Sequence, residues 1–404
     1  MNGHSAEFDP TTFDPEQAPE EVCWEVLPQL TGSIQAMTLF HLGLLAFERE
    51  DLLRASTLAE AAADVFRETG IHSMAARALL SAGRSFNALN DLPEAVKRVR
   101  QAQTDYLEIN NSHQAVKASS FLASLLVKSE RFEEAQTVVN ESLALIERDG
   151  GTVHDPMMEE LHSFLGDALF GLGKYREACR NFERASEWAI KLNRAEVAPR
   201  ILHRAGLCEF KLGAYQRAVS IYLANYNVGV ADGDTEFIAA SGTNLVLTYR
   251  VLGEFEVADR YIESLMPIMQ EATDLIMKAF FYREVAEMHL RHSNFQAAFE
   301  AAEKSFSAFN FDDQIPGQLQ AGTAVVAAAT RLGRFSEAHA YLNRIQLLFS
   351  ATSDNVIEDA EREAFRLLRL WVWVMQVESH SGWEGDFGES LVEDNENDRY
   401  NFAR

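Results

Sequence analysis

Proline and glycine are scarce, 9 and 22 among 404 residues. Both disfavour helix interiors, so a chain that uses them sparingly suits long helices. Cysteine is rarer still. Cys23, Cys179 and Cys208 fall at no spacing that suggests a disulfide framework or a metal site. No stretch of 18 uncharged apolar residues occurs, which excludes a membrane-spanning helix. The first 30 residues carry acids and prolines instead of an apolar run, so no secretion signal is read there and a reducing cytoplasm is the expected compartment. Positive charge is also in short supply, with 36 Lys and Arg against 61 Asp and Glu, a net charge of −25. That balance argues against general affinity for nucleic acid or for an anionic membrane. What remains is 47% hydrophobic, ample for a core, and reads as all-α.

The positive signal is a repeat. In Leu161–Trp188 the small residues Gly166, Gly173, Ala178 and Ala185 alternate with the large residues Leu165, Leu169, Tyr175 and Phe182, at the spacing of two closely packed helices joined by a turn. An aromatic or leucine three residues before an alanine recurs as Leu52/Ala55, Leu92/Ala95, Phe132/Ala135, Tyr175/Ala178, Tyr215/Ala218, Phe255/Ala258, Phe295/Ala298 and Phe335/Ala338. The successive spacings are 40, 40, 43, 40, 40, 40 and 40. This pattern resembles the tetratricopeptide repeat, in a form longer than the common one of about 34 residues. The resemblance implies a right-handed α-solenoid of about eight helical hairpins, closed by a C-terminal capping helix. First helices are expected near 36–49, 76–89, 116–129, 159–172, 199–212, 239–252, 279–292 and 319–332, each followed by a second helix starting a residue or two before its anchor. Gly173, Gly213, Gly253 and Gly333 mark four turns, and Glu50, Asn90, Glu130 and Ser293 hold the same place in the others.

The chain then divides into an acidic, mostly disordered arm over 1–32, repeats over 33–350, a capping helix over 351–378 and an acidic tail over 379–404. Within the arm, Val22–Leu27 is apolar enough to dock, either as a short helix over the first repeat or in the protein's own groove. The joint Glu147–Pro156 is three residues longer than the others and rich in breakers, which makes it a loop and a candidate hinge. In the capping helix, Phe365–Met375 is apolar on nearly every side, so a second copy of the chain, the tail, or a ninth-repeat remnant is expected to cover it. A homodimer through the helix around Trp371 is one such arrangement. The tail spaces Trp383, Phe387 and Leu391 four apart among seven acids.

No catalytic signature is found. Gly171-Leu-Gly173-Lys174 lacks the length and flanking strand of a phosphate loop and reads as a repeat turn, while His289 and His292 lack a completing ligand. No metal or cofactor is expected, and the chain is not expected to be an enzyme. Charge is nevertheless sorted by position. In tetratricopeptide hairpins the first helix lines the concave face; counting from sixteen residues before each anchor, positions 2, 5, 9, 12 and 13 point into it. Ten of those forty positions are basic against 36 in 404 overall: Arg77, Arg84, Lys117, Lys128, Arg200, Lys211, Arg250, Arg283, Arg291 and Arg331. Four are acidic: Glu48, Glu160, Asp167 and Glu287.

A basic groove in an acidic shell favours an acidic or extended peptide, with Arg204 and Asn244 adding hydrogen bonds and Phe40, Leu44 and Phe47 an apolar pocket. The alternative for the arginines is pairing with acids on adjacent repeats. Chaperone-binding members of the family grip a terminal carboxylate with lysines and asparagines in three consecutive repeats. Here Ser120, Ser124 and His162 stand where those would be required, so that activity does not carry over. The expected function is a protein- or peptide-binding module or adaptor. The alternative is a bacterial peptide-pheromone or signal receptor acting through a partner protein.

Overall fold

The computed structural model describes residues 13–148, 155–310, 315–351 and 359–381, and among these only helices and their joints occur. The chain forms two compact units, 1–201 and 202–404. The first holds a short helix α1 (Glu20–Val26) and four hairpins: α2 (Gly32–Glu48) with α3 (Leu52–Glu68), α4 (His72–Ala88) with α5 (Leu92–Glu108), α6 (Ser112–Lys128) with α7 (Phe132–Arg148), and α8 (Asp155–Gly171) with α9 (Tyr175–Lys191). The division falls inside α10 (Ala198–Lys211). The second unit pairs α10 with α11 (Tyr215–Asp232), α12 (Thr235–Leu252) with α13 (Phe255–Glu271), α14 (Leu275–Arg291) with α15 (Phe295–Asn310), and α16 (Ile315–Arg331) with α17 (Phe335–Ala351). It ends in α18 (Asp359–Ser381).

Every anchor is the first residue of a second helix, not one or two residues inside it as expected. First helices other than α10 begin four residues earlier than expected, and the long period comes from the length of both helices of each hairpin. In the first hairpin, two helices of 17 residues are separated by the joints 49–51 and 69–71, which gives 40. Each intra-hairpin turn closes in the same way. In the fourth, the Gly173 N–H donates to the Phe170 carbonyl (3.0 Å) and the Lys174 N–H to the Leu169 carbonyl (2.8 Å). That pairing satisfies the last carbonyls of the first helix and requires a left-handed residue between them. All eight such residues have it, with φ 72° at Gly173 but also 57° at Glu130 and 63° at Glu50. A side chain in this conformation costs roughly 1–2 kcal/mol, and glycine avoids the clash. Glu130→Gly is therefore expected to stabilise the fold by about 0.5–1 kcal/mol, read as a rise in the denaturant midpoint without a change in slope.

Between paired helices the small residues are filled by neighbours. A Cβ at Gly166 would lie 2.5 Å from the Phe182 ring, so that ring occupies the space the glycine leaves. The arm expected to be disordered is ordered over residues 13–31. Cys23 and Val26 are buried, Phe13, Trp24 and Leu27 pack with Leu42, Ala55 and Leu58, and Arg54 stacks on the Trp24 ring at 4.3 Å. Its few apolar residues suffice because α2 and α3 offer an open end to cover. Most of the expected loop and hinge, residues 149–154, lies outside the described residues, as does the tail from residue 382.

Candidate functional site

Successive first helices meet through polar side chains one repeat apart. In the first unit the Lys128 Nζ donates to the Asn87 Oδ1 (3.4 Å) and the Ser120 Oγ to the Glu160 Oε2 (2.7 Å). In the second, the Asn244 Nδ2 lies 2.9 Å from the His203 Nε2, and the Arg283 Nη1 donates to the Gln320 Oε1 at 2.7 Å. Three of these four contacts join positions counted as groove-lining, whereas Asn244 lies one residue past the counted Thr243. Second helices carry a parallel set of rungs, among them Arg67 to Asp105, Arg98 to Glu60 and Arg100 to Glu134.

The expected basic residues divide into two groups. On α4 and α6, Arg77, Arg84, Lys117 and Lys128 are exposed, and the Arg77 guanidinium lies 5.4 Å from the Phe40 ring. Beside them α2 leaves Met37, Leu44 and Phe47 exposed at 39%, 37% and 36%, an apolar strip on a surface helix. Phe40, expected in that pocket, is buried instead at 7% because the helix turns it toward α4. Arg200 is exposed on α10, and Lys211 is half-buried at its end.

In the second unit, two of the arginines are committed to the fold. Glu284 is fully buried, with Arg250 donating to its Oε2 from Nε (2.9 Å) and Arg283 donating to its Oε1 from Nη2 (2.8 Å). Burial alone would raise its carboxyl, but Arg250 and Arg283 outweigh burial and hold it below the ordinary carboxylate range. Two cations against one anion leave one net positive charge. Arg291 and Arg331 are exposed and lie over the Phe255 and Phe295 rings at 3.6 and 5.6 Å.

The second unit also holds a centre that the sequence did not reveal. His203 sits between Asn244, Ser241 and the rings of Tyr222 and Phe237, and burial pushes its pKa down to about 4. Burial also lowers Arg204, to about 10, which leaves it charged at neutral pH. Asn244, expected to face a ligand, instead bonds the His203 ring.

The turn residues and cysteines keep their structural roles. Gly171 ends α8 and Gly173 forms its turn, while Cys179 and Cys208 are buried, unbridged small side chains. His292, which lacked an acidic partner in the sequence reading, lies 2.9 Å from Asp259 one repeat away. Among the described residues no group of three His, Cys, Asp or Glu could hold a metal ion, and no helix is long and apolar enough to cross a membrane.

Stacked pairs of helices with left-handed turns and small-to-large packing define a tetratricopeptide-type, all-α solenoid fold. No family model and no curated protein matches the chain. Solved structures do. The apo form of RapI shares 18% identity over 73% of this chain and 80% of its own, with a TM-score of 0.57. Aspartyl phosphate phosphatase F from Bacillus subtilis shares 14% over 85% and 89%, also at 0.57. A signal-transduction ATPase with a tetratricopeptide repeat sensor, from Pyrococcus horikoshii, shares 15% over 86% of this chain and 55% of its own, at 0.54. At these identities the likeness is one of fold.

Proposed function

We propose that the protein is a non-enzymatic, cytoplasmic adaptor that binds an acidic, extended peptide segment of a partner protein along the face built by its first helices. The observation that carries this reading is the juxtaposition on α2, α4 and α6. Arg77, Arg84, Lys117 and Lys128 are exposed beside the apolar strip of Met37, Leu44 and Phe47, on a chain with a net charge of −25. Cations select acidic side chains, and the strip takes an aliphatic or aromatic anchor. In the second unit Arg250 and Arg283 serve Glu284 first. A role as a peptide-signal receptor working through a partner is the second reading; the sensor designation of the repeats in the Pyrococcus protein favours it.

The test is fluorescence anisotropy with two labelled twelve-residue peptides, one acidic with a leucine anchor and one its basic counterpart. The acidic peptide is expected to bind preferentially, more weakly as salt rises, and at least tenfold more weakly to Arg77→Glu/Lys117→Glu. Both substituted residues are exposed, so the fold should survive. Equal binding of the two peptides, or of the acidic peptide to both proteins, would remove the reading.

A further inference from the structure

Among the described joints between consecutive hairpins, one does not close like the rest. At 69–71, 109–111, 192–197 and 233–234 a left-handed residue, Gly70, Asn110, Asn193 or Gly233, turns the chain back. The next N–H then returns to a carbonyl of the helix just ended, as Ile71 does to Phe66 (2.8 Å) and Asp234 to Gly229 (2.9 Å). At 272–274, between α13 and α14, no residue is left-handed, and Ala272 is extended with φ −58° and ψ 144°. Slightly more than one turn earlier, Pro267 stands inside α13 with no N–H to give the Glu263 carbonyl. α13 is also thinly seated. It buries only Ala258, Leu265 and Met269, against five to seven residues in each of α3, α5, α7, α9 and α11. The polar links between α13 and α14 are exposed ones: the Lys278 Nζ donates to the Gln270 carbonyl (3.4 Å), and His292 meets Asp259 at 2.9 Å. Such surface links add little rigidity.

We propose that residues 267–274 form a hinge inside the second unit, about which α14 to α18 tilt as one body. The pivot is on the first helices, where Arg250 of α12 and Glu284 of α14 meet in an ion pair with the carboxylate fully buried. Beyond the joint, deeper contacts hold the moving part together. The Ser305 Oγ donates to the Ala279 carbonyl (2.7 Å) and the Tyr341 hydroxyl to the Glu303 Oε1 (2.7 Å), while Phe365 and Val372 of α18 share a core with Phe306 and Ile345. Because the pivot lies on the first helices and the loose seam runs along α13, tilting changes the curvature of the first-helix face at α12 and α14 without breaking the link between them. A few residues at the ends of elements suffice for such a hinge, and its motion belongs to the microsecond-to-millisecond range. A ligand held by both α12 and α14 would select one setting, so the second unit can convert binding into a change of shape.

The test uses the full-length protein carrying pairs of spin labels, with distances read by pulsed dipolar spectroscopy. Asn227→Cys/Glu300→Cys spans the joint, from α11 to α15, and Glu300→Cys/Glu337→Cys lies wholly beyond it. All three positions are exposed, whereas the native cysteines are buried. The spanning pair is expected to give a distance distribution about twice as broad as the other. Pro267→Ala, at an exposed position, restores the missing bond and should narrow the spanning pair alone. Hydrogen exchange supplies a second readout. The amides of 268–271, in the last turn of α13, should be protected at least tenfold less than those of 65–68 in α3, and Pro267→Ala should close that gap. The proposal is overturned by equal widths for the two pairs, by a spanning width that Pro267→Ala leaves unchanged, or by equal protection of the two turns. Neither readout involves a ligand, so both stand apart from the peptide site of α2, α4 and α6.

Discussion

Arg250→Ala should lower the unfolding free energy by about 3–5 kcal/mol, the usual cost of leaving a buried charge without its partner. Glu284 has no exposed surface, and its carboxylate is shared between Arg250 and Arg283, whose side chains are each 17% exposed. With Arg250 gone, one oxygen loses its two charge-assisted hydrogen bonds and keeps its desolvation cost. Replacing the pair together, Arg250→Met with Glu284→Leu, should recover only part of the loss, because two apolar side chains of similar size remove the buried pair while Arg283 keeps its charge without its carboxylate partner. Urea midpoints of the two variants and the wild type decide the matter. A loss under about 1 kcal/mol in the single variant would mean that water reaches Glu284 after all.

Acidification should reveal the second large effect. The His203 pKa stands at about 4 in the fold, against an ordinary 6.5. Between those values the unfolded chain takes up a proton that the folded chain refuses, so stability is lost as pH falls from about 6.5 toward 4 and is unaffected above that window. The shift corresponds to about 3 kcal/mol at the acid end. His162, buried and bonded to Asn181, is lowered for the same main reason and adds in the same direction. His203→Gln keeps a side chain able to bond Asn244 but cannot titrate. Its stability should therefore change much less between pH 7 and pH 4.5 than that of the wild type. Parallel pH profiles for the two proteins would refute the assignment.

The fold was legible because its determinants are local and repeated. An aromatic or leucine that starts each second helix, an alanine three residues on and a left-handed turn before it are readable in one dimension, and all eight copies are where the spacing puts them. Four of the turn residues were marked by glycine and the other four by holding the same place in the repeat, since the turn geometry leaves no alternative place for the left-handed residue. The site was less legible. Counting helix positions could not say which arginines were already engaged. Glu284 lies one position past Arg283, off the counted face, and looks like an ordinary surface acid in the run Phe281–Leu290. Only the approach of Arg250 from the preceding repeat makes it a buried anion. A search for opposite charges 33 to 41 residues apart would have found this pair, along with Arg98–Glu60, Arg67–Asp105 and His292–Asp259. His203 was missed for the complementary reason: its partners Asn244 and Ser241 are neutral, and no charge pattern announces them.

The rungs between neighbouring repeats also set rules for how such a gene can lengthen or shorten. α5 reaches back to Glu60 through Arg98 and forward to Glu134 through Arg100. Losing one codon inside it would rotate everything beyond by about 100° and uncouple one side from the other. Three additional codons in the joint 147–156 leave the phase of both flanking helices untouched. Insertions and deletions that survive in this lineage should therefore fall in the joints or come in whole units of 40, so that the protein changes size by recombination of complete hairpins while its helix interiors hold their length.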